Sequence, residues 1–143
     1  MNLLKIAKPA VTVSPTASVM DAIEAMKEAT VGAVLVVNDA ELKGVFSERD
    51  LMLRVVLEKR NPENTLVADV MTSPVVTIRK ETRPDDALQT MWDRHIRHLP
   101  VVDAEGRVEA MVSIRHLLHD KVEHLTQELD SLEAFITADG IGG

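Results

Sequence analysis

The first 60 residues contain apolar positions whose spacing changes from strand-like to helix-like and back. Ser18 precedes a stretch whose apolar residues, from Val19 to Met26, fall on one stripe, which is typical of a helix capped by a serine. Two apolar runs of strand length follow, separated by the turn-forming pair Asn38-Asp39. The pattern predicts a strand at residues 11–13, a helix, strands at 33–37 and 42–47, and a second helix at about 48–59.

The second half repeats this order at an offset of about 65 residues. Asp21-Ala22-Ile23 corresponds to Asp86-Ala87-Leu88 and, after a one-residue insertion, Ser47 corresponds to Ser113. The repeat predicts a strand at 75–78, a helix from about Pro84 with Thr82 and Asp85 as its capping box, and strands at 98–102 and 108–113.

Neither half has enough elements to cover both faces of its own sheet. We therefore expect an α/β (α+β) fold in which two β-α-β-β-α repeats pack around a pseudo-twofold axis and leave clefts where they meet. The expected boundaries are residues 3–60 for the first repeat, 61–67 for a linker in and after the polar stretch "KRNPENT", and 68–120 for the second repeat.

The chain after the second repeat has a different pattern, with apolar residues at alternating steps of four and three. We call this set the heptad seam; its members are Leu118, Val122, Leu125, Leu129, Leu132 and Ile136. Such a pattern predicts one long helix at 118–137, which either packs on its own domain or builds a homodimer, and its regularity favours the dimer. Residues 138–143 are expected to be a disordered tail.

Composition narrows the classes of function. Apolar residues make up 45% of the 143 positions, which is enough for a core, and the absence of cysteine excludes disulfides and thiolate-metal sites. A net charge of −7 with 2% aromatic residues argues against a nucleic-acid partner. The isolated glycines form no phosphate loop, and no apolar run approaches a membrane span. We expect a cytoplasmic protein with no membrane partner.

Four stretches carry a resemblance to a known family. "VGAVLVV" and "IRHLPVVD" occupy equivalent strands, and "GVFSERD" and "AMVSIRH" follow the third strand of each repeat. Together they resemble the cystathionine β-synthase (CBS) domain, whose tandem pairs are called Bateman modules, over about residues 3–120. The resemblance implies a non-enzymatic regulatory module that binds AMP, ATP, NAD(H) or S-adenosylmethionine as a regulatory ligand, with no cofactor as catalyst.

The resemblance also implies roles for particular residues. Asp50, with Ser47 as a second polar contact, would bind the ribose, because a carboxylate can accept hydrogen bonds from both hydroxyls. Phosphates would contact basic residues of the second repeat. These are Arg97 and His98, with Arg94 and His95 just before them, while Arg49 of the first repeat either contacts phosphate or makes a surface pair with a neighbouring acid. The implied adenine contacts are Val75, Val76, Thr77, Ile96 and Val45.

The equivalent position to Asp50 in the second repeat is His116, which accepts one hydrogen bond when neutral and none when protonated. The positions matching Arg97 and His98 are the uncharged Gly32 and Ala33. The sequence therefore predicts one competent nucleotide site per chain.

Three classes of function remain to be weighed. The leading one is a homodimeric adenine-nucleotide sensor that acts on an unidentified regulated protein, and the alternative is a ligand-free homodimerising scaffold. An enzyme is disfavoured because neither Ser47 nor Ser113 has an evident base beside it in sequence. A metal site at His116, His119 and His124 with Asp120 is weighed against a solvated helix face, and the solvated face is favoured. No metal is therefore expected.

Overall fold

The computed structural model describes residues 2–137, so the predicted tail at 138–143 lies outside the described residues. A short 3₁₀ turn at Leu3–Lys5 precedes the main elements, most of which begin close to the predicted positions, whereas the short helix at Val67–Val70 was not predicted. In chain order they are β1 (Thr12–Val13), α1 (Val19–Ala29), β2 (Ala33–Asn38), β3 (Glu41–Ser47), α2 (Glu48–Asp50, continuing as a π-helical segment at Leu51–Val56), α3 (Val67–Val70), α4 (Pro84–Arg94), β4 (His98–Val102), β5 (Val108–Ser113) and α5 (Ile114–Ile136).

The two halves differ in the strand that should open each repeat. In the first half β1 runs parallel to β2, and β2 is antiparallel to β3. In the second half β4 pairs with β5, but the strand predicted at 75–78 is wrong, because only Ile78 forms a bridge, to Val101. The N–H of Leu35 donates to the Val11 carbonyl at 2.9 Å, whereas the position matching Leu35 is Pro100, which has no N–H to give.

Helix ends follow local chemistry, with two corrections to the sequence predictions. Ser18 caps α1 as predicted. The capping box expected at Thr82 is wrong: its hydroxyl accepts from the Arg79 N–H at 3.3 Å within a turn, and Arg83 is the residue before α4. The helix after β3 ends at Val56 rather than at 59, and Lys59 adopts a left-handed conformation with φ of 58°.

In each half, the segment that precedes the first strand packs against the other half. The backbone of Lys8 exchanges two 2.9 Å hydrogen bonds with Met111 of β5, and Thr72 exchanges bonds of 2.8 and 3.0 Å with Val45 of β3. Leu3 lies in the core of the second half, while Val67 packs into the core of the first. This reciprocal exchange gives the predicted pseudo-twofold arrangement of two β-α-β-β-α repeats.

The last helix of the second repeat and the predicted C-terminal helix are one continuous helix, α5, which begins at Ile114 rather than at 118. Lys121 contacts Asp85 of α4 at 3.1 Å, and Leu117 is buried. All six residues of the heptad seam are between 42% and 66% exposed, so the seam is not covered by its own domain. Within residues 2–137, no helix combines the length and apolarity needed to cross a membrane.

The exchange of leading segments predicts unequal effects at two adjacent leucines. Leu3 is completely buried in the second half's core, whereas Leu4 is 37% exposed. We expect Leu3→Ala to lower the free energy of unfolding by about 2–5 kcal/mol. Leu4→Ala, the matched control, should lower it by less than about 1 kcal/mol. Urea unfolding measures both values, and equal losses would contradict the packing of Leu3 into the second half.

Candidate functional site

Asp50 lies where β3 passes into α2, and its position has a local cause. Ser47 is the residue before the helix, and its hydroxyl accepts from the Asp50 N–H at 3.3 Å. In return, the Asp50 Oδ2 accepts from the Ser47 N–H at 2.9 Å and from the Ser47 hydroxyl at 3.0 Å. This capping box holds the carboxylate at the start of the helix, where the helix dipole favours a negative charge.

The second oxygen of Asp50 has partners that sequence reasoning missed. Asp50 Oδ1 accepts from the Thr72 hydroxyl at 2.7 Å and lies 3.7 Å from Arg54 Nε. Arg54 also donates through Nη1 to the Met71 carbonyl at 2.8 Å. Arg54 could have been found from its i,i+4 spacing to Asp50 on a helix, but nothing in the sequence pointed to Thr72. The carboxylate is only 6% exposed, so it is buried among its donors.

The start of α2 faces the second repeat at the end of α4 and the start of β4. Arg49 Nη1 donates to the His95 carbonyl at 3.4 Å. A Cβ on Gly32 would lie 2.6 Å from Glu48 Oε1 and 3.4 Å from His98 Nε2. Gly32 therefore provides the space in which the Glu48 carboxylate and the His98 ring meet, a role that its missing charge did not reveal.

His98 is half-buried, and its electrostatic surroundings are mixed. Burial lowers the pKa of His98 below 6.5, the nearby Glu48 carboxylate partly offsets this, and His116 and Arg97 lower the pKa further. The lowered pKa favours the neutral form of His98 at pH 7, and a neutral imidazole can donate one hydrogen bond. Arg97 is exposed, and its charge is one of those that lower the pKa of His98.

The residues assigned to adenine lie along the segment that leaves Thr72. Val75 and Val76 are half-buried and Thr77 is exposed. Val76 and Ile96 both pack against the second half's core, and Val45 is the residue of β3 that pairs with Thr72. The ribose and adenine residues are thus connected through residues 72–77, the start of the second repeat, whose Thr72 pairs with β3 of the first. We call residues 72–77 the inter-repeat segment. We call the expected binding region, which is defined by Asp50, this segment and His98, the Asp50 cleft.

The equivalent position in the second repeat has a different chemistry. The Ser113 hydroxyl accepts from the His116 N–H at 3.2 Å, so only one of the two capping bonds is kept. His116 Nδ1 is buried and has no hydrogen-bond partner within residues 2–137. Burial, followed by the charges of Lys8 and Arg115, lowers the pKa of His116. A neutral imidazole has one acceptor nitrogen, so His116 cannot accept hydrogen bonds from both ribose hydroxyls as a carboxylate can.

The other histidines of α5 have partners on their own helix. His119 Nε2 lies 3.1 Å from Glu123, and His124 Nδ1 lies 2.9 Å from the Asp120 carbonyl. Among the residues from 2 to 137, no group of three or more His, Asp or Glu side chains is placed to hold a metal ion.

The family model described as "CBS domain" matches residues 4–57 and 67–123. The CBS domain-containing protein CBSX3, mitochondrial, of Arabidopsis thaliana is 36% identical over 124 residues, covering 83% of this chain and 60% of the relative. The uncharacterized protein MK0525 of Methanopyrus kandleri is 34% identical over 76% of this chain. This chain spans about 56–60% of the length of these two relatives.

Solved structures share the fold. The CBS domain NE2398 superposes with a TM-score of 0.78 at 31% identity, covering 84% of this chain and 93% of that one. The CBS domain protein PAE2072 from Pyrobaculum aerophilum, complexed with AMP, has a TM-score of 0.74 at 25% identity, covering 81% and 89%. With two family matches that span most of its length and a tandem fold shared with these structures, the chain belongs to the CBS domain family.

Proposed function

We propose that this protein is a non-enzymatic regulatory module that binds an adenine nucleotide in the Asp50 cleft. The observation that carries the proposal is the Asp50 carboxylate, held at the start of α2 and directed at the segment between the repeats. The AMP bound to PAE2072, a protein of the same fold, supports the ligand class. His116 at the equivalent position favours a single site per chain.

Each part of the nucleotide has a set of residues assigned to it. Ser47 and Asp50 bind the ribose, which hydrogen-bonds to a charged acceptor. Phosphate meets Arg97, His98 and Arg49, while adenine lies against Val75, Val76 and Thr77 with Ile96 and Val45 as apolar walls. AMP, ATP and NAD(H) all contain adenosine with a 5′-phosphate, whereas S-adenosylmethionine shares only the ribose and the base.

Binding at this cleft would be converted into a signal through the packing of the two repeats. The cleft is bounded by both halves, so a ligand that prefers one arrangement of the halves shifts the protein toward it. We propose that a separate protein reads this shift. We propose a cytoplasmic location for the nucleotide-binding protein itself.

The ribose role of Asp50 predicts a large effect of an isosteric change. Asp50→Asn removes the charge while keeping the shape, and AMP affinity should fall at least about 10-fold, because hydrogen bonds to charged groups contribute about 1.5–3 kcal/mol. Isothermal titration calorimetry measures the affinity, and a melting curve checks folding. Asp93→Asn, an exposed carboxylate on α4, is the matched control and should bind as the wild type does. Unchanged affinity in Asp50→Asn would remove the nucleotide from this cleft.

The phosphate role of His98 predicts a pH dependence. In the free protein the pKa of His98 lies below 6.5, so a bound phosphate that raises this pKa must draw a proton onto the ring as pH falls. The ratio of wild-type to His98→Gln affinity for AMP should therefore increase as pH decreases from about 8 to about 6. Comparing the two proteins at each pH cancels the titration of AMP itself, and a constant ratio would contradict the role.

A ligand-free scaffold is the second candidate, favoured by the exposed heptad seam. In either function we propose that Val122, Leu125, Leu129, Leu132 and Ile136 build a homodimer, since burying a stripe of this length removes a large apolar area from water. The segment after β3 has a further exposed apolar group, Met52, Val56 and Leu57.

The dimer proposal predicts that charges in the seam separate the chains. Leu125→Glu with Leu129→Glu should convert the dimer to a monomer, because four carboxylates would be buried in one interface. Size-exclusion chromatography with light scattering measures the mass. Gln127→Glu with Ser131→Glu adds the same charge outside the seam and should leave the dimer intact. A wild-type monomer, or a dimer that survives the seam charges, would contradict the proposal.

A further inference from the structure

The hydrogen bonds already made by Asp50 limit what it can offer a ligand. A carboxylate has about four acceptor positions. Oδ2 accepts two bonds from Ser47, at 2.9 and 3.0 Å, and Oδ1 accepts the Thr72 hydroxyl at 2.7 Å. One position on Oδ1 remains, and Arg54 Nε stands 3.7 Å from that oxygen. A ribose presents two adjacent hydroxyls, so a second acceptor position has to be vacated.

We propose that Thr72 competes with the ribose for Asp50, so that its hydroxyl must leave Oδ1 when a nucleotide binds. The inference rests on the proposed ribose site. Thr72 is then a positioning residue that holds the empty carboxylate and lowers nucleotide affinity by occupying the acceptor.

The local contacts show why the Thr72 hydroxyl, rather than Ser47, would leave the Asp50 carboxylate. Both the N–H and the hydroxyl of Ser47 belong to the capping box, and its hydroxyl also accepts from the Asp50 N–H, so withdrawing Ser47 would uncap α2. Among residues 2–137, the side chain of Thr72 makes a single hydrogen bond, to Asp50. Its backbone is independently held by Val45 through both of its polar groups. The Thr72 hydroxyl can therefore rotate away while the chain stays in place.

The Thr72 hydroxyl links the ribose site to the inter-repeat segment, so its release affects both. Arg54 lies beside the same carboxylate and donates to the carbonyl of Met71, the neighbour of Thr72. Three residues further on, Val75 begins the stretch assigned to adenine. Nucleotide binding thus exchanges a bond between Asp50 and the inter-repeat segment for bonds between Asp50 and the ligand, and this changes how the two halves are tied together.

The test removes the hydroxyl while keeping the shape of the side chain. Thr72→Val should melt at a lower temperature, because Asp50 loses a donor, yet bind AMP about five- to tenfold more tightly. A residue with a purely structural role would give weaker or unchanged binding. Thr72→Ser keeps the hydroxyl and should return affinity toward the wild-type value. Thr90→Val is the matched control, since its hydroxyl donates to the Asp86 carbonyl within α4, and it should leave AMP affinity unchanged.

A second ligand separates competition from other causes of tighter binding. The monophosphate of 2′-deoxyadenosine has one hydroxyl fewer on its sugar, and the free position on Oδ1 is enough for the one that remains. The gain from Thr72→Val should therefore shrink to about twofold or less for this ligand. Calorimetry with both ligands on the wild type and on Thr72→Val measures the difference, and an equal gain for both would overturn the competition.

The outcomes also separate this inference from the proposed function. If Asp50→Asn abolishes AMP binding but Thr72→Val brings no gain, the competition is wrong and the ribose site stands. If AMP binds only to Thr72→Val, the competition is supported in its strongest form. If AMP binds to neither the wild type nor Thr72→Val, the proposed site and the competition are both wrong. The same holds if AMP binds equally to Asp50→Asn and the wild type.

Discussion

The exchange of leading segments between the halves is the constraint on which the rest of the structure depends. Thr72 reaches β3 only because the chain crosses from one repeat to the other before its second sheet begins, and Lys8 makes the corresponding crossing to β5. Gly44 permits this approach, since a Cβ there would collide with the Met71 side chain and lie 3.0 Å from the Thr72 carbonyl. The cleft therefore exists only when both halves are folded together.

One carboxylate serves two purposes at this crossing. Asp50 caps α2 through Ser47 and ties the inter-repeat segment through Thr72, so local helix chemistry and tertiary attachment meet in one side chain. A buried carboxylate is tolerated because its oxygens have donors. In the proposed competition, a ligand that places two hydroxyls on Asp50 displaces the Thr72 contact, which is a physical route from binding to a change in packing.

The two clefts diverge although the repeat is regular. The first has a carboxylate at the helix start, and the second has His116, whose Nδ1 is buried without a described partner and whose neighbours include Lys8 and Arg115. Glu48 of the first repeat raises the pKa of His98 and His116 of the second lowers it, so its charge state responds to both repeats. The pseudo-twofold symmetry thus belongs to the backbone, while the charges along it are asymmetric.

The sequence by itself determined the repeat, the order of most elements and the difference between Asp50 and His116. These features follow from local spacing and from comparing one half of the chain with the other, and none of them depends on a tertiary contact. Pro100 could also have been used to predict that no full strand forms at 75–78, because a residue without an N–H cannot donate to the hydrogen bonds between that strand and β4.

Only the tertiary structure decided what surrounds those residues. Thr72 lies 22 positions from Asp50 and meets it because two halves pack, and Gly32 matters because Glu48 and His98 converge on it from different repeats. The exposure of the heptad seam was likewise undecidable from its spacing, because the same apolar stripe serves a helix that packs on its own domain and one that projects from it. Local patterns fix which face of an element is apolar, and packing between distant segments fixes what that face meets.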